Sequence, residues 1–323
     1  MTSSGIIATC LICFAAGNEG KDSNARGVID VGSLTPPARP RTASRWVASE
    51  SLRPTFQLTY GQGFGYPANP IAADLVADNA EGMAAFSSRG LTQDRRCKPD
   101  VVAPRTAILS TRSRLATSTG WQLSQDPLYF FDGGTSMATP LVAGCVAIVR
   151  ESLAKVHGVN NPSAALLKAL IINGAHSMTG QYVPSEVGAI PDTSEGFGRV
   201  NIGEVVSPKG VVQFWDEGTK LDTGEDETRT VKIATAGQAL KATLVWTDPA
   251  GAGLQNDLDL IIHAADGTER HGNVPAGSPD FDRVNNVEQV IWSNVPQGEL
   301  KIITRANRIT QATQSYALVV RVG

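Results

Sequence analysis

The chain has 323 residues, and at about 150 residues per domain this length predicts two domains. Hydrophobic residues make up 41% and charged residues 18% of the chain, a balance that excludes a disordered polypeptide and a bundle of membrane helices. The formal net charge is -3 and no lysine- or arginine-rich run occurs, so neither nucleic acid nor a membrane is predicted as a partner. We therefore expect a soluble globular protein.

The chain contains four cysteines, too few and too scattered for a disulfide framework, and we interpret them as free thiols: Cys10, Cys13, Cys97 and Cys145. Two of them lie in residues 6–16, an apolar run that is similar to the core of a signal peptide. No lysine or arginine precedes this run, and it is too short to span a bilayer, so it predicts a buried strand. Without a visible export signal, we expect the chain as expressed to be cytoplasmic.

Strand patterns alternate with helix patterns over residues 1–207. Short buried strands are predicted at residues 6–16, 28–33, 83–86 and 100–103, and a long loop at residues 34–81. Apolar residues at helical spacing predict a buried helix from Met137 to Gly158, and a second helix runs from the Asn161-Pro162 cap to Gly174. This order of elements predicts an α/β domain with a parallel sheet.

Residues 208–323 show a different pattern, in which the helical period gives way to alternation with period two. Strands are predicted at residues 231–234, 239–246, 258–263, 287–292, 299–304 and 316–322. Turn signals such as Asp266-Gly267 separate these runs. We predict an all-β sandwich or jelly roll of about eight strands, with the domain boundary near residues 202–210.

Ser136 follows two glycines at the predicted start of the long helix. Such a serine can act as a nucleophile, because the free N–H groups and partial positive charge of a helix N-terminus stabilise an oxyanion beside it. The alternative is that Ser136 or Thr135 only caps the helix, and position alone favours this alternative.

The residues around Ser136, GTSMATPLVAG at 134–144, resemble the nucleophile motif of the subtilisin-like serine proteases. Three more blocks agree with that family in type and order: FAAGNEG at 14–20, AFSSRG at 85–90 and KPDVVAP at 98–104. Further segments are similar to the branch of oxidatively stable alkaline proteases of bacilli, which carry a β-domain after the catalytic domain: residues 51–54, 196–200, 256–260 and 285–288. The resemblance implies a partial subtilisin-like parallel sheet with helices, followed by the β-domain.

The resemblance also implies roles for particular residues. Ser136 would be the nucleophile, and the Asn18 amide would donate to the oxyanion together with the Ser136 backbone N–H. The substrate-binding residues would be Ala15, Ala16, Gly17, Gly134 and Thr135, with the first three forming one wall of the pocket for the P1 side chain. Arg105 stands where the family has glycine, which predicts local backbone strain or a shifted loop.

A subtilisin-type triad runs in the chain order Asp, His, Ser, and no histidine precedes Ser136 in this sequence. His157 follows on the same predicted helix, and at about 1.5 Å per residue it would lie roughly 30 Å from the serine. The chain is therefore expected to be the C-terminal part of a catalytic domain that lacks the Asp and His motifs. Its exposed sheet edge and helix faces predict self-association or pairing with a second chain.

Acidic residues of the β-domain are candidate metal ligands. Asp257 and Asp259 alternate along a predicted strand, and Asp282 lies in a nearby loop. Such hard oxygen donors suit a structural Ca²⁺ ion, and the family resemblance adds to this prediction. A solvated acidic strand face stays open as the alternative, because no EF-hand-like spacing occurs.

Three functions follow from these observations. The first is a subtilisin-like serine endopeptidase that cleaves polypeptides through a Ser136 acyl-enzyme, in a family that is mostly secreted. The second is a serine hydrolase that acts on short or activated esters, which need less general acid catalysis. The third is an inactive remnant that serves as a binding or structural protein.

Overall fold

A computed structural model describes residues 9–35, 44–180 and 188–323 of the chain. Its helices are α1 Tyr60–Phe64, α2 Thr135–His157, α3 Ala164–Gly174 and α4 Ile202–Val206. The strands before α4 are β1 Cys13–Ala15, β2 Ser44–Ser49, β3 Val101–Pro104, β4 Ile108–Thr111, β5 Gln122–Leu123 and β6 Tyr129–Asp132. Those after α4 are β7 Val211–Leu221, β8 Asp226–Ile233, β9 Leu240–Val245, β10 Asp257–Ala264, β11 Glu269–His271, β12 Val287–Trp292, β13 Gly298–Arg308 and β14 Gln314–Val322.

A parallel sheet of order β1-β2-β3 carries the first part of the chain. The predicted strand at residues 100–103 is confirmed as β3, and part of the predicted strand at 6–16 is confirmed as β1, while residues 1–8 lie outside the described ranges. The strands predicted at 28–33 and 83–86 are wrong. Residues 30–33 bond to loop segments, as in Gly32 N–H to Gly90 O, and Met83 forms a single bridge with Ser49.

The central strand β2 lies inside residues 34–81, which the sequence predicted as loop. Its six residues are too few for a period to stand out between flanks rich in Pro, Gly and Ser. A small antiparallel sheet of order β4-β6-β5 was also missed, and it leads directly into α2.

Helix α2 has the predicted extent, because Gly158 ends it in the left-handed conformation with φ of 72°. The prediction that it is buried is confirmed for one face only. Val142, Val146 and Val149 pack in the core, whereas Leu141 is 39% and Ile148 is 49% exposed. The helix is long and apolar enough to cross a membrane, but its packed face is that of a core helix.

Helix α3 packs against β9 and β14 of the β-module and against α2, and every residue in it is buried. It begins at the cap Ser163, whose hydroxyl accepts the N–H of Leu166 at 2.9 Å, rather than at the predicted Asn161-Pro162 cap. Its apolar side chains share one cluster with residues of the β-module, among them Val287 and Val319. The two parts of the chain therefore have a common core.

The β-module consists of two four-stranded antiparallel sheets, of order β11-β10-β13-β8 and β12-β9-β14-β7. Side chains from both sheets form one core, including Leu244, Leu260, Ile302 and Leu318. The all-β prediction is confirmed, and the predicted domain boundary falls between α4 and β7. Jelly-roll topology stays a prediction.

Candidate active site

Ser136 is the second residue of α2, and its side chain is exposed at the start of this helix. The cap residue is Gly134, whose φ of 136° is a conformation that favours glycine, and no side chain makes a capping hydrogen bond there. The capping alternative for Ser136 and Thr135 is therefore not supported. The hydroxyl instead lies at the end of a helix where backbone N–H groups lack intrahelical partners.

Asn18 lies just beyond the carboxyl end of β1, and Thr135 fixes its side chain. The Asn18 Oδ1 atom accepts the Thr135 N–H at 2.8 Å and the Thr135 hydroxyl at 2.9 Å. Within the described residues, the Nδ2 atom of the same amide has no hydrogen-bond acceptor. The amide therefore keeps its N–H donors free beside the residue that precedes Ser136, where an oxyanion would form.

The loop that carries Asn18 is held by the block at residues 85–90. Ser88 donates its N–H to Gly17 O at 3.0 Å, and its hydroxyl accepts the Glu19 N–H at 3.1 Å. A Cβ atom at Gly17 would lie 2.4 Å from Thr35 Oγ1, so only glycine fits at this φ of 113°. The loop is thus positioned from both sides of Asn18.

The predicted substrate-binding residues are placed close to Asn18, but few of their side chains are accessible. Ala16 has no exposed surface and packs against Val47 and Val102 in the core. Thr135 is 1% exposed, and Gly134 is buried. Ala15 and Gly17 are half-buried. These residues can contact a substrate mainly through their backbone atoms. Their assignment to the P1 pocket stays a prediction.

A cavity of about 380 Å³ opens beside Asn18. Its walls combine aromatic rings with a polar loop and consist of Asn18, Gly20, Lys21, Asp22, Ser23, Phe64, Gly65, Tyr66, Pro67 and Phe86. Tyr66 donates its hydroxyl to Gly20 O at 2.7 Å, which ties the aromatic wall to the Asn18 loop. The sequence reasoning missed this wall, although aromatic residues alternate with glycine in YGQGFGY at residues 60–66.

In residues 9–35, 44–180 and 188–323, neither an imidazole nor a carboxylate is hydrogen-bonded to the Ser136 hydroxyl. His157 lies at the opposite end of α2, where its ring contacts Phe214 at a centroid distance of 5.4 Å. His176 bonds to Arg199 at 2.9 Å. The other two histidines, His263 and His271, both contact Glu269 in the β-module.

The four sequence blocks and the site they form agree with a wider comparison. The family model described as "Subtilase family" matches residues 2–198, which contain all four blocks. The chain belongs to the subtilase family. Its Ser136 and Asn18 therefore lie in the part of the chain that the family defines.

Curated relatives of this subtilase are much longer than the chain itself. The protein "Serine protease/ABC transporter B family protein tagD" of Dictyostelium discoideum is 29% identical over 311 residues, covering 75% of the chain and 17% of that protein. Pyrolysin of Pyrococcus furiosus is 31% identical over 189 residues, covering 58% of the chain and 12% of that protein. A solved structure of tripeptidyl peptidase 2 overlaps 97% of the chain and 32% of its own, at 9% identity and a TM-score of 0.26, which is too low to carry an argument.

Arg105 of this subtilase is completely buried. Its Nη1 atom donates to Gly134 O at 3.2 Å, and its Nε atom donates to Pro104 O at 2.9 Å. Burial lowers the pKa of Arg105 to about 9. Arg105 itself has no positive φ, and the left-handed φ of 48° lies two residues later, at Ala107, so the local strain or shifted loop stays a prediction.

The predicted calcium ligands Asp257 and Asp259 are buried on β10, and arginines lie against their carboxylates. Arg283 pairs with both carboxylates, and Arg305 Nη2 lies 2.8 Å from Asp259 Oδ2. The oxygens that a Ca²⁺ ion would bind are thus already neutralised by guanidinium groups. One oxygen, Asp257 Oδ1, lacks a partner among the described residues, whereas Ca²⁺ takes about six to eight oxygens.

The third predicted ligand, Asp282, forms hydrogen bonds within its own loop. Its Oδ1 atom accepts the N–H groups of Val284 and Asn285 at 2.8 and 3.1 Å. No group of three or more His, Cys, Asp or Glu side chains in the described parts of the chain is arranged to hold a metal ion. These residues do not fit a Ca²⁺ site as they are arranged. The four cysteines are free, as predicted.

Proposed function

We propose that this chain supplies the nucleophile and the oxyanion site of a subtilisin-like serine endopeptidase. The observation that supports this most directly is the pair of hydrogen bonds from Thr135 to Asn18 Oδ1, at 2.8 and 2.9 Å, which leaves Nδ2 as a donor beside the serine. Membership of the subtilase family adds polypeptides as the substrate class.

In the proposed reaction, the Ser136 hydroxyl oxygen attacks the carbonyl carbon of the scissile peptide bond. The carbonyl oxygen becomes an oxyanion, which accepts hydrogen bonds from Asn18 Nδ2 and the Ser136 backbone N–H. The C–N bond then breaks, the amine leaves with a proton, and an acyl-enzyme remains on Ser136 until water hydrolyses it. A base must accept the serine proton and return it to the amine.

The described residues hold no such base near Ser136, so we propose that a polypeptide packed beside the serine supplies an imidazole and its carboxylate. Two open surfaces lie on α2 and β1, which pack against each other. Leu141 and Ile148 are exposed on α2, and β1 is the edge strand of the parallel sheet with β2 on its other side. A chain that pairs with this edge and covers the helix would lie next to the exposed hydroxyl.

The proposal is tested with a fluorophosphonate probe on the purified wild-type protein and two serine variants. Ser136→Ala removes the proposed nucleophile, and Ser152→Ala is the matched control because Ser152 lies on the same helix, four turns away. We expect the wild type and Ser152→Ala to be labelled slowly, because the oxyanion site alone leaves a residual rate when no base is present, and Ser136→Ala to stay unlabelled. Equal labelling of all three proteins, or of none, would contradict the proposal.

A second candidate function is esterase activity of the chain by itself. It is favoured by the lack of a base among the described residues, because an activated ester has a leaving group that needs no protonation. Rates on a nitrophenyl ester and on a chromogenic peptide separate the two candidates. Turnover of the ester alone, lost in Ser136→Ala, supports the esterase. Turnover of neither by correctly folded protein contradicts the esterase and fits a catalytic segment that needs a second polypeptide or a binding or structural remnant.

We further propose that the cavity beside Asn18 binds an apolar side chain of the polypeptide. Phe64 and Phe86 supply its apolar wall, and Phe64 is 37% exposed to the open side. A peptide series that varies one residue at a time on either side of the scissile bond would test this. We expect one position to favour aromatic or aliphatic side chains in the wild type and to lose that preference in Phe64→Ala.

A further inference from the structure

Arg105 is a cation buried without an acid. Its side chain has no exposed surface, and no Asp or Glu carboxylate of the described residues forms an ion pair with it. A buried charge is costly when nothing compensates it, and a neutral side chain would fill the same space at lower cost. A role that requires the charge would explain its presence at this position.

The guanidinium contacts one particular peptide group, the one that joins Gly134 to Thr135. Its carbonyl oxygen accepts Arg105 Nη1 at 3.2 Å and the Met137 N–H at 2.9 Å. Its N–H, on Thr135, donates to Asn18 Oδ1 at 2.8 Å. A continuous chain of hydrogen bonds thus runs from the Arg105 cation through one peptide plane to the Asn18 amide.

Hydrogen bonds in such a chain polarise one another. A cation on the carbonyl oxygen draws electron density from the peptide, which makes its N–H a stronger donor to Asn18 Oδ1. The Asn18 amide is polarised in turn, and its Nδ2–H groups become stronger donors to an oxyanion. The effect is larger in a buried site, where water does not screen the charge.

We propose that Arg105 is a positioning residue of the oxyanion site, which orients and polarises Asn18 through the Gly134–Thr135 peptide. This inference rests on the proposed role of Ser136 and Asn18, and it adds a residue that stands where the subtilisin-like motif has glycine. Burial lowers the pKa of Arg105 to about 9, which is still above neutral pH, so the guanidinium is charged at pH 7. Arg105 itself touches no reacting atom.

The first test measures the rate constant for fluorophosphonate labelling of Ser136. Arg105→Met removes charge and donor, Arg105→Gln keeps a donor without the charge, and Arg105→Lys keeps both. We expect labelling to be about tenfold slower in Arg105→Met and Arg105→Gln, and close to wild type in Arg105→Lys. Wild-type rates in Arg105→Met or Arg105→Gln would overturn the proposal. If Arg105→Met does not fold, Arg105→Gln and Arg105→Lys carry the comparison.

A double-mutant cycle asks whether the effect passes through Asn18. In an Asn18→Ala background, we expect Arg105→Met to change the labelling rate less than about twofold, because the route to the oxyanion is already removed. An undiminished tenfold effect in that background would mean that Arg105 only stabilises the turn, and would overturn the proposal.

A third measurement does not depend on activity. In protein labelled with ¹⁵N-asparagine, the Asn18 side-chain resonances are assigned by their loss in Asn18→Ala. We expect the Asn18 Nδ2 proton resonances of Arg105→Gln to move toward the values of free asparagine, and those of Arg105→Lys to stay near the wild type. Unchanged Asn18 resonances in Arg105→Gln would overturn the proposal. If the fluorophosphonate does not react with the wild type but the Asn18 resonances do move in Arg105→Gln, the result contradicts the proposed function of Ser136 and still supports the role of Arg105.

Discussion

Thr135 is almost fully buried, and both its N–H and its hydroxyl bond to the same atom, Asn18 Oδ1. Two donors on one oxygen hold the planar amide against rotation. Gly134 keeps the space beside it open, since a Cβ atom there would lie 3.1 Å from Asn18 Nδ2. The two residues just before Ser136 thus fix the orientation of the Asn18 side-chain amide.

Thr135→Val keeps the shape and the backbone donor of this residue and removes only the hydroxyl. We expect labelling of Ser136 by a fluorophosphonate to slow about fivefold, the equivalent of about 1 kcal/mol for one lost hydrogen bond. The matched control is Thr139→Val, because the Thr139 hydroxyl bonds to Thr135 O within the helix at 3.1 Å. Equal rates in the two variants would show that the hydroxyl does not orient Asn18.

Glu195 is a buried acid outside the active site. Burial raises its pKa to about 7, and its carboxyl group accepts the Ser177 hydroxyl and the Met178 N–H, both at 2.8 Å. The folded state therefore binds a proton that the unfolded chain releases near pH 4.5. The contribution of this group to stability is complete below that pH and is lost as the pH rises through about 7.

Glu195→Gln removes this titration and keeps the shape. We expect its free energy of unfolding to match the wild type near pH 4.5 and to exceed it at pH 8, by on the order of 3 kcal/mol. Urea unfolding at the two pH values measures the difference. Glu299→Gln, at an exposed position, is the control for removal of a carboxylate from the chain. A constant difference between Glu195→Gln and the wild type would rule out this titration.

At the scale of elements, α2 carries an apolar surface on both sides. One side packs in the core through Val142, Val146 and Val149, and the other exposes Leu141 and Ile148. Composition alone could not separate these sides, because both contain aliphatic residues. An apolar helix face without a neighbour favours association.

Ile148→Lys places a charge in the exposed face of α2. We expect the self-association constant of the chain, measured by sedimentation equilibrium, to fall at least about tenfold. Ile291→Lys on β12 is a close control, because Ile148 and Ile291 are both 49% exposed. If both substitutions weaken association equally, or neither does, the α2 face is not the contact surface.

At the scale of the whole molecule, α3 joins the two parts of the chain. Asn173 donates from Nδ2 to Lys241 O at 2.9 Å and to Thr243 Oγ1 at 3.1 Å, both on β9. Val319 on β14 packs in the same cluster as the α3 side chains, whereas its neighbour Val320 faces the core between the two sheets. The parts are therefore expected to unfold together.

Hydrogen exchange at increasing urea concentrations tests this expectation. In the wild type, peptides from α3 and from β10 should lose protection at the same urea concentration. Val319→Ala and Val320→Ala should each destabilise both sets of peptides, by about 2 kcal/mol. If Val319→Ala destabilises only the α3 peptides and Val320→Ala only the β10 peptides, the two parts are independent domains.

The features that could be predicted from the sequence are those that a short motif or a long periodic segment determines. Ser136 and Asn18 were found because each lies in a short block of characteristic residues, and α2 because its helical pattern covers 23 residues. Strand β2 was missed because a short central strand depends on its neighbours. The paired state of Asp257 and Asp259 was not predicted, because Arg283 and Arg305 reach them only through the fold.

The common core around α3 also affects how such a chain can evolve. Genetic recombination moves modules between proteins when their boundary exposes little apolar surface. A cut near residue 207 would leave Val287, Ala317 and Val319 in contact with water on one fragment and the buried α3 on the other. The β-module is therefore expected to be inherited together with the catalytic segment, and a shuffled copy would need new polar residues on this face before it could fold alone.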